Sequence, residues 1–197
     1  ATLADSMQVD LFCVGTEFAI AVTKRPDFWR SLIQKVRARY HGQITYCATW
    51  ADYQNTPFWK EVDYIGLSAY FPLAASTTPD VDSLRQAWRP IREQLRTFSE
   101  QHGKSILFTE FGYLSVDSAG WRTWELERGV ESRRINQVAQ ANCLEALLST
   151  FQAESWWAGG FLWNWFPKMQ GHEGYPERDY TPLGKLGEGI LRKWYGG

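Results

Sequence analysis

The feature that most constrains this chain is an alternation of short apolar runs with longer stretches whose apolar residues fall on one helical stripe. The runs are Val9–Gly15 (VDLFCVG), Gln43–Thr49, Val62–Ser68 (VDYIGLS), Lys104–Thr109 (KSILFT) and Trp157–Trp163. Their length and apolar content predict buried strands. Between and after them come helical stripes. Pro26–Tyr40 carries Phe28, Trp29, Leu32, Ile33, Val36 and Tyr40, with Gly42 placed to end it. A long helix begins at Asp80 or Asp82, runs through Leu84, Trp88, Ile91, Leu95 and Phe98, and closes at Gly103. Arg134–Ala153 and Leu183–Tyr195 complete the set, and Ala1–Gln8 reads as the last turns of a further helix. Only the second and third strands are joined by a short connection. Such alternation predicts an α/β fold with a parallel sheet. No Gly-rich phosphate loop follows any strand, which disfavours a doubly wound nucleotide fold. No linker interrupts the pattern, so residues 1–197 read as one domain or part of one.

Composition narrows the function. With 44% hydrophobic and 22% charged residues and a net charge of −1, the chain suits a globular core. It has no apolar stretch long enough to span a membrane and no basic stripe for a nucleic acid. Aromatic residues make up 16%. Most must fill the core, but an exposed ring face also packs against the C–H face of a sugar. Cys13, Cys47 and Cys143 have no metal-ligand spacing and read as buried free thiols. His41 and His102 lie at helix ends, where a cation suits the dipole. His172 lies in a Gly-rich loop, Gly171–Gly174. These residues predict no metal site, and nothing in the sequence assigns a compartment.

Three apolar runs end in groups that strand burial does not explain: Gly15-Thr16-Glu17-Phe18, Ser68-Ala69-Tyr70-Phe71-Pro72 and Thr109-Glu110-Phe111-Gly112-Tyr113. In parallel α/β barrels the C-terminal strand ends face the active site, whereas charges at strand starts serve stability. Asp10 and Asp63 are therefore read as structural. A carboxylate past a strand is often only an ion-pair partner, but two on strands of one sheet form the set that glycoside hydrolysis needs. One carboxyl donates a proton to the leaving oxygen while the other attacks or directs water. Trp50, just after the second run, reads either as a sugar platform or as core. Trp121 and Trp124, in the long loop after Glu110, read either as outer sugar contacts or as loop packing.

The segments VGTEF, DYIGLSAYFPL, ILFTEFGY and GGFLWNWFP, with the ending DYTPLGKLGEGILRKWY, resemble barrel strands four, six, seven and eight of clan A glycoside hydrolases. The nearest likeness is to family 113, whose known members are mainly β-1,4-mannanases, and it extends along nearly the whole chain. The resemblance implies a (β/α)8 TIM-barrel fold, represented here by about five βα units, strands four to eight. It implies a retaining double displacement on a β-linked oligo- or polysaccharide, with no cofactor. Carried over, Glu17 is the acid/base and Glu110 the nucleophile. Tyr70 matches the tyrosine that the family keeps near the nucleophile, and Trp163 the tryptophan that floors the sugar subsite beside the cleaved bond. Clan A enzymes usually place Asn before the acid/base, where it holds the sugar 2-hydroxyl. Here that position is Thr16, which has shorter reach and no amide donor.

Five strands do not close an eight-stranded barrel. The expectation is a piece of a longer barrel that associates with itself or with a companion segment supplying strands one to three. The alternative function is a truncated, non-catalytic barrel that binds glycans weakly.

Overall fold

A computed structural model describes residues 1–166 and 175–196. The loop containing His172 lies outside the described residues. The elements, in order, are α1 (Thr2–Ser6), β1 (Leu11–Thr16), α2 (Ala19–Lys24), α3 (Pro26–Arg37), β2 (Gln43–Thr49), β3 (Tyr64–Ser68) and α4 (Val81–His102). They continue with β4 (Ile106–Phe111), α5 (Thr123–Leu126), α6 (Gln137–Phe151), β5 (Trp157–Leu162) and α7 (Leu186–Tyr195). The strands form one open parallel sheet in the order β1-β2-β3-β4-β5. This is the strand–helix alternation expected of a partial (β/α)8-type barrel.

The chain divides into two compact units. The first comprises Ala1–Ala69, Leu95–Thr109 and Ser155–Gly160. Its centre is β2, where Ile44, Thr45, Tyr46, Cys47 and Ala48 are all buried. The amphipathic α3 lays Trp29, Ile33 and Val36 into this core. Trp29 stacks on Phe58 at 5.8 Å, and Tyr46 meets Phe58 edge-on at 5.3 Å. Many of the aromatic residues are thus core, as the composition required. Gly66 lets β3 pass close to β2, since a Cβ there would stand 2.3 Å from the Tyr46 carbonyl oxygen. Asp63 accepts from the Arg37 guanidinium at 2.6 Å and the Ile44 N–H at 2.7 Å, so this strand-start carboxylate ties α3 to the sheet.

Several local expectations change here. β1 is not buried on both faces. It ends the sheet order, pairs with β2, and has no buried residue. Cys13, on that strand, is exposed, while Cys47 and Cys143 are buried; all three are free thiols. Gly42 does not end α3, which stops at Arg37. Instead, Gly42 allows a close approach, because a Cβ would lie 2.3 Å from the Tyr40 hydroxyl.

The second unit comprises Tyr70–Gln94, Glu110–Glu154 and Phe161–Gly197. Trp88 of α4 packs between Phe71, at 5.6 Å, and Phe151, at 5.1 Å. Asp80 caps α4, accepting from the Ser83 N–H at 2.8 Å and the Ser83 hydroxyl at 2.7 Å. These bonds hold its carboxyl below the usual carboxylate range. α6 starts at Gln137 rather than Arg134 because Asn136 is its N-cap, accepting from the Ala139 N–H at 2.9 Å. Ile135 and Val138 are consequently exposed, not part of the buried stripe. Gly187 brings α7 against Gln140 and Leu144, where a Cβ would be 3.0 Å from each. No helix among the described residues is long and apolar enough to cross a membrane.

Candidate active site

Glu17 owes its place to an irregularity at the end of β1. Cys13 pairs with Thr45, but Thr16 pairs with Cys47, so β1 uses three steps where β2 uses two. Such a bulge bends the strand and re-aims the side chains beyond it. Glu17 follows with φ 58°, in the left-handed region that a non-glycine residue seldom occupies. Its N–H is held by the Cys47 carbonyl at 2.8 Å, and the next N–H, of Phe18, donates to the Tyr46 hydroxyl at 2.8 Å. Burial pushes the Tyr46 phenol up to about 12, so it stays protonated.

The exposed Glu17 carboxylate accepts a hydrogen bond from the Ser68 hydroxyl. Ser68 is the last residue of β3 and is buried. A serine hydroxyl donates to a carboxylate and accepts from a carboxylic acid, so the contact suits either protonation state. Thr16 is exposed, with its hydroxyl 4.0 Å from the Cys13 sulfur. Trp50 is half-buried, one residue beyond β2, the strand whose carbonyl holds Glu17.

In the second unit, Glu110 is the penultimate residue of β4 and is half-buried. The Tyr70 hydroxyl donates to its Oε2 at 3.3 Å. A donor aimed at a carboxylate favours its ionised form, the form a nucleophile requires. Beyond Glu110, the Trp163 N–H donates to the Phe111 carbonyl at 2.8 Å. A Cβ on Gly112 would lie 1.9 Å from the Trp163 carbonyl oxygen. Gly112 therefore lets the Trp163 backbone lie directly on the end of β4. The Trp163 side chain is exposed, and its peptide bond to Asn164 is cis. Trp165, Trp121 and Trp124 are exposed as well.

The structure thus joins Tyr70 to Glu110 by a hydrogen bond and sets Trp163 on the strand that carries Glu110. It ties Glu17 to Ser68, a residue that the strand-end motif contained but that sequence reasoning passed over. Its only signal was a hydroxyl closing an otherwise apolar run. Among the described residues, no group of three His, Cys, Asp or Glu side chains could hold a metal ion. His41 instead hydrogen-bonds Asp5, and His102 the Phe98 carbonyl.

The profile of Glycoside Hydrolase Family 113 matches residues 1–185. The chain belongs to family 113. Among solved structures it is similar to a GH113 β-1,4-mannanase, with 25% identity and a TM-score of 0.79 over 100% of this chain and 59% of that one. The GH113 β-mannanase AaManA of Alicyclobacillus acidocaldarius, in complex with ManMIm, is 27% identical with a TM-score of 0.80, over 99% of this chain and 58% of that one. A Faecalibacterium prausnitzii β-glucuronidase, 20% identical with a TM-score of 0.61 over 95% of this chain and 31% of that one, shares the fold. No curated protein sequence matches. This family 113 chain therefore spans about 59% of the length of the mannanases it resembles.

Proposed function

We propose that this family 113 chain is the part of a retaining glycoside hydrolase that carries both carboxylates and cleaves β-1,4-mannan or a related β-glycan. Residues 1–197 are read as one partial catalytic domain. Glu110 attacks the anomeric carbon and forms a glycosyl-enzyme, while Glu17 protonates the leaving oxygen and later activates water. Thr16, Trp50, Tyr70 and Trp163 bind or frame the sugar. The observation that carries this reading is the hydrogen bond from Tyr70 to Glu110 at the C-terminal end of a strand, in a chain matched by the family 113 profile.

The test replaces Glu17 with Ala and compares two substrates. A manno-oligosaccharide, whose leaving alcohol needs a proton, should lose on the order of 10²–10⁴-fold in kcat/KM. An activated aryl β-mannoside, whose phenolate leaves unaided, should keep its glycosylation rate within about tenfold. Equal losses on both substrates would remove the acid role from Glu17.

A second reading is a glycan-binding, non-catalytic barrel, supported by the exposed rings of Trp121, Trp124, Trp163 and Trp165, whose faces can pack on sugars without any bond being cleaved. Unmeasurable turnover alongside saturable oligosaccharide binding would establish it.

We also propose that the chain associates, with a copy of itself or with a companion segment bearing further strands. β1 and β5 end the sheet order, and Leu3, Met7, Phe18 and Ile20 are exposed in the first unit, Phe161 in the second. End strands and exposed apolar side chains beside them invite association. Light scattering at micromolar concentration should find a species heavier than 22.8 kDa. A monodisperse monomer with no second polypeptide would end this proposal.

A further inference from the structure

The sequence motif DYTPLGK, beyond the strands, takes part in no step proposed above, yet its polar residues are buried and hydrogen-bonded. Asp179, Thr181 and Lys185 are all buried. The Lys185 ammonium donates to the Asp179 carboxylate at 3.2 Å, the Asp179 carbonyl at 2.9 Å and the Ser115 hydroxyl at 2.7 Å. Gln140 of α6 donates to the carbonyls of Tyr113 at 2.9 Å and Tyr180 at 3.1 Å. The segment is therefore clamped to the chain just past β4.

What the clamp holds is Tyr180. Its ring meets the Tyr70 ring edge-on, with centroids 6.4 Å apart. On another side it packs on Gly112, where a Cβ would stand 3.2 Å from its Cδ1. Its hydroxyl donates to Glu127 at 2.8 Å. Burial, then the charges of Glu127 and Glu110, push that phenol well above its ordinary range, so it remains a donor. Tyr70 has a partly open position, and its bond to Glu110 is long at 3.3 Å. A donor at that distance is sensitive to small shifts of its ring.

We propose that Tyr180 is a positioning residue for Glu110: its buried ring backs Tyr70 and keeps the Tyr70 hydroxyl aimed at the carboxylate. This rests on the reading of Glu110 as the nucleophile, which makes the aim of that hydroxyl matter. The Tyr180 hydroxyl is given to Glu127, so its action on Glu110 runs through the Tyr70 ring.

The test is a double-mutant cycle read on the ionisation of Glu110. The chain is labelled with ¹³C at Glu side-chain carboxyls, and the Glu110 resonance is assigned by its loss in Glu110→Gln. Carboxyl titrations are then compared in the wild type, Tyr70→Phe, Tyr180→Leu and the double variant. Loss of the Tyr70 donor raises the carboxyl pKa, because that bond favours the ionised form. Tyr180→Leu should raise it by about half a unit or more when Tyr70 is present, the scale of one weakened bond to a charged group. With Phe at position 70 the part of that increment carried by the Tyr70 hydroxyl should disappear, leaving a smaller shift that reports only what Tyr180→Leu does to the solvation of Glu110. Tyr180→Phe, which keeps the ring, should leave the titration where it was. Should the Leu variant not fold, Tyr180→Met carries the same cycle, since its flexible side chain fills irregular gaps. An equal shift in both backgrounds, or none in either, would overturn the proposal. The titration needs no turnover, so it can fail while the catalytic reading stands. The catalytic reading, tested by Glu110→Gln kinetics, can equally fail while the positioning holds.

Discussion

Glu110→Gln should lower turnover of both manno-oligosaccharides and activated aryl β-mannosides, by on the order of 10⁴-fold or more. That is the range that follows removal of a covalent nucleophile. The amide is nearly isosteric and can still meet the Tyr70 hydroxyl, so the fold and ground-state binding should persist. KM, or the affinity of a bound oligosaccharide, should accordingly change far less than kcat. The loss is insensitive to the leaving group because no glycosyl-enzyme forms on either substrate. This separates Glu110 from Glu17, whose removal should spare the activated substrate.

A further arm makes the assignment stereochemical. With Glu110→Ala and an aryl β-mannoside, added azide enters from the vacated side and should give the α-mannosyl azide. With Glu17→Ala, azide attacks an intact glycosyl-enzyme and should give the β-mannosyl azide. Proton NMR of the two products reads the configuration directly. Turnover by Glu110→Gln within tenfold of the wild type would take the nucleophile role from this residue. The β product from Glu110→Ala would do the same.

The strands and the placement of both glutamates were legible in the sequence because they depend on local signals. An apolar run followed by a charged residue is visible without tertiary context. The boundaries moved by one or two residues at most strands, the usual blur at element ends. What stayed hidden depends on neighbours. Cys13 looks like core in VDLFCVG, but its strand ends the sheet order and its thiol is exposed. The left-handed backbone at Glu17 leaves no residue signature, since the position is not glycine, and the bulge before Thr16 is hinted at only by Gly15, a glycine inside a strand. Ser68 reads as an ordinary strand terminus until the fold lays its hydroxyl on Glu17. Gly42 was read as a helix end when its role is to make room for Tyr40. Lys185 and Asp179 are six residues apart in a segment that looked like a loop running into a helix, and nothing in their spacing shows that both are buried.

Breaking that buried pair should cost the second unit much of its stability. Side-chain exposure is 1% for Lys185 and 2% for Asp179, so neither charge is solvated if the other is removed. Burial pushes the Lys185 ammonium below its ordinary range, and the Asp179 charge pulls it back. Lys185→Met keeps the length of the stem but deletes the donor to Asp179 and Ser115. Removing one partner of a buried ion pair costs about 3–5 kcal/mol, and the Thr181 N–H that still donates to Asp179 at 2.9 Å places the loss toward the lower end of that range. For a chain of this size that lowers Tm by roughly 6–20 °C. Lys185→Met combined with Asp179→Leu removes both charges and should recover at least half of the loss, because an apolar pair of similar volume is often as stable as the ion pair it replaces. Urea denaturation of the wild type, both single variants and the double variant measures the coupling. Two outcomes would contradict the argument: a single-variant loss below about 1 kcal/mol, or a double-variant loss equal to the sum of the singles. Lys185 and Asp179 also clamp Tyr180, so Lys185→Met should shift the Glu110 carboxyl titration in the same direction as Tyr180→Leu, at temperatures where the variant is still folded.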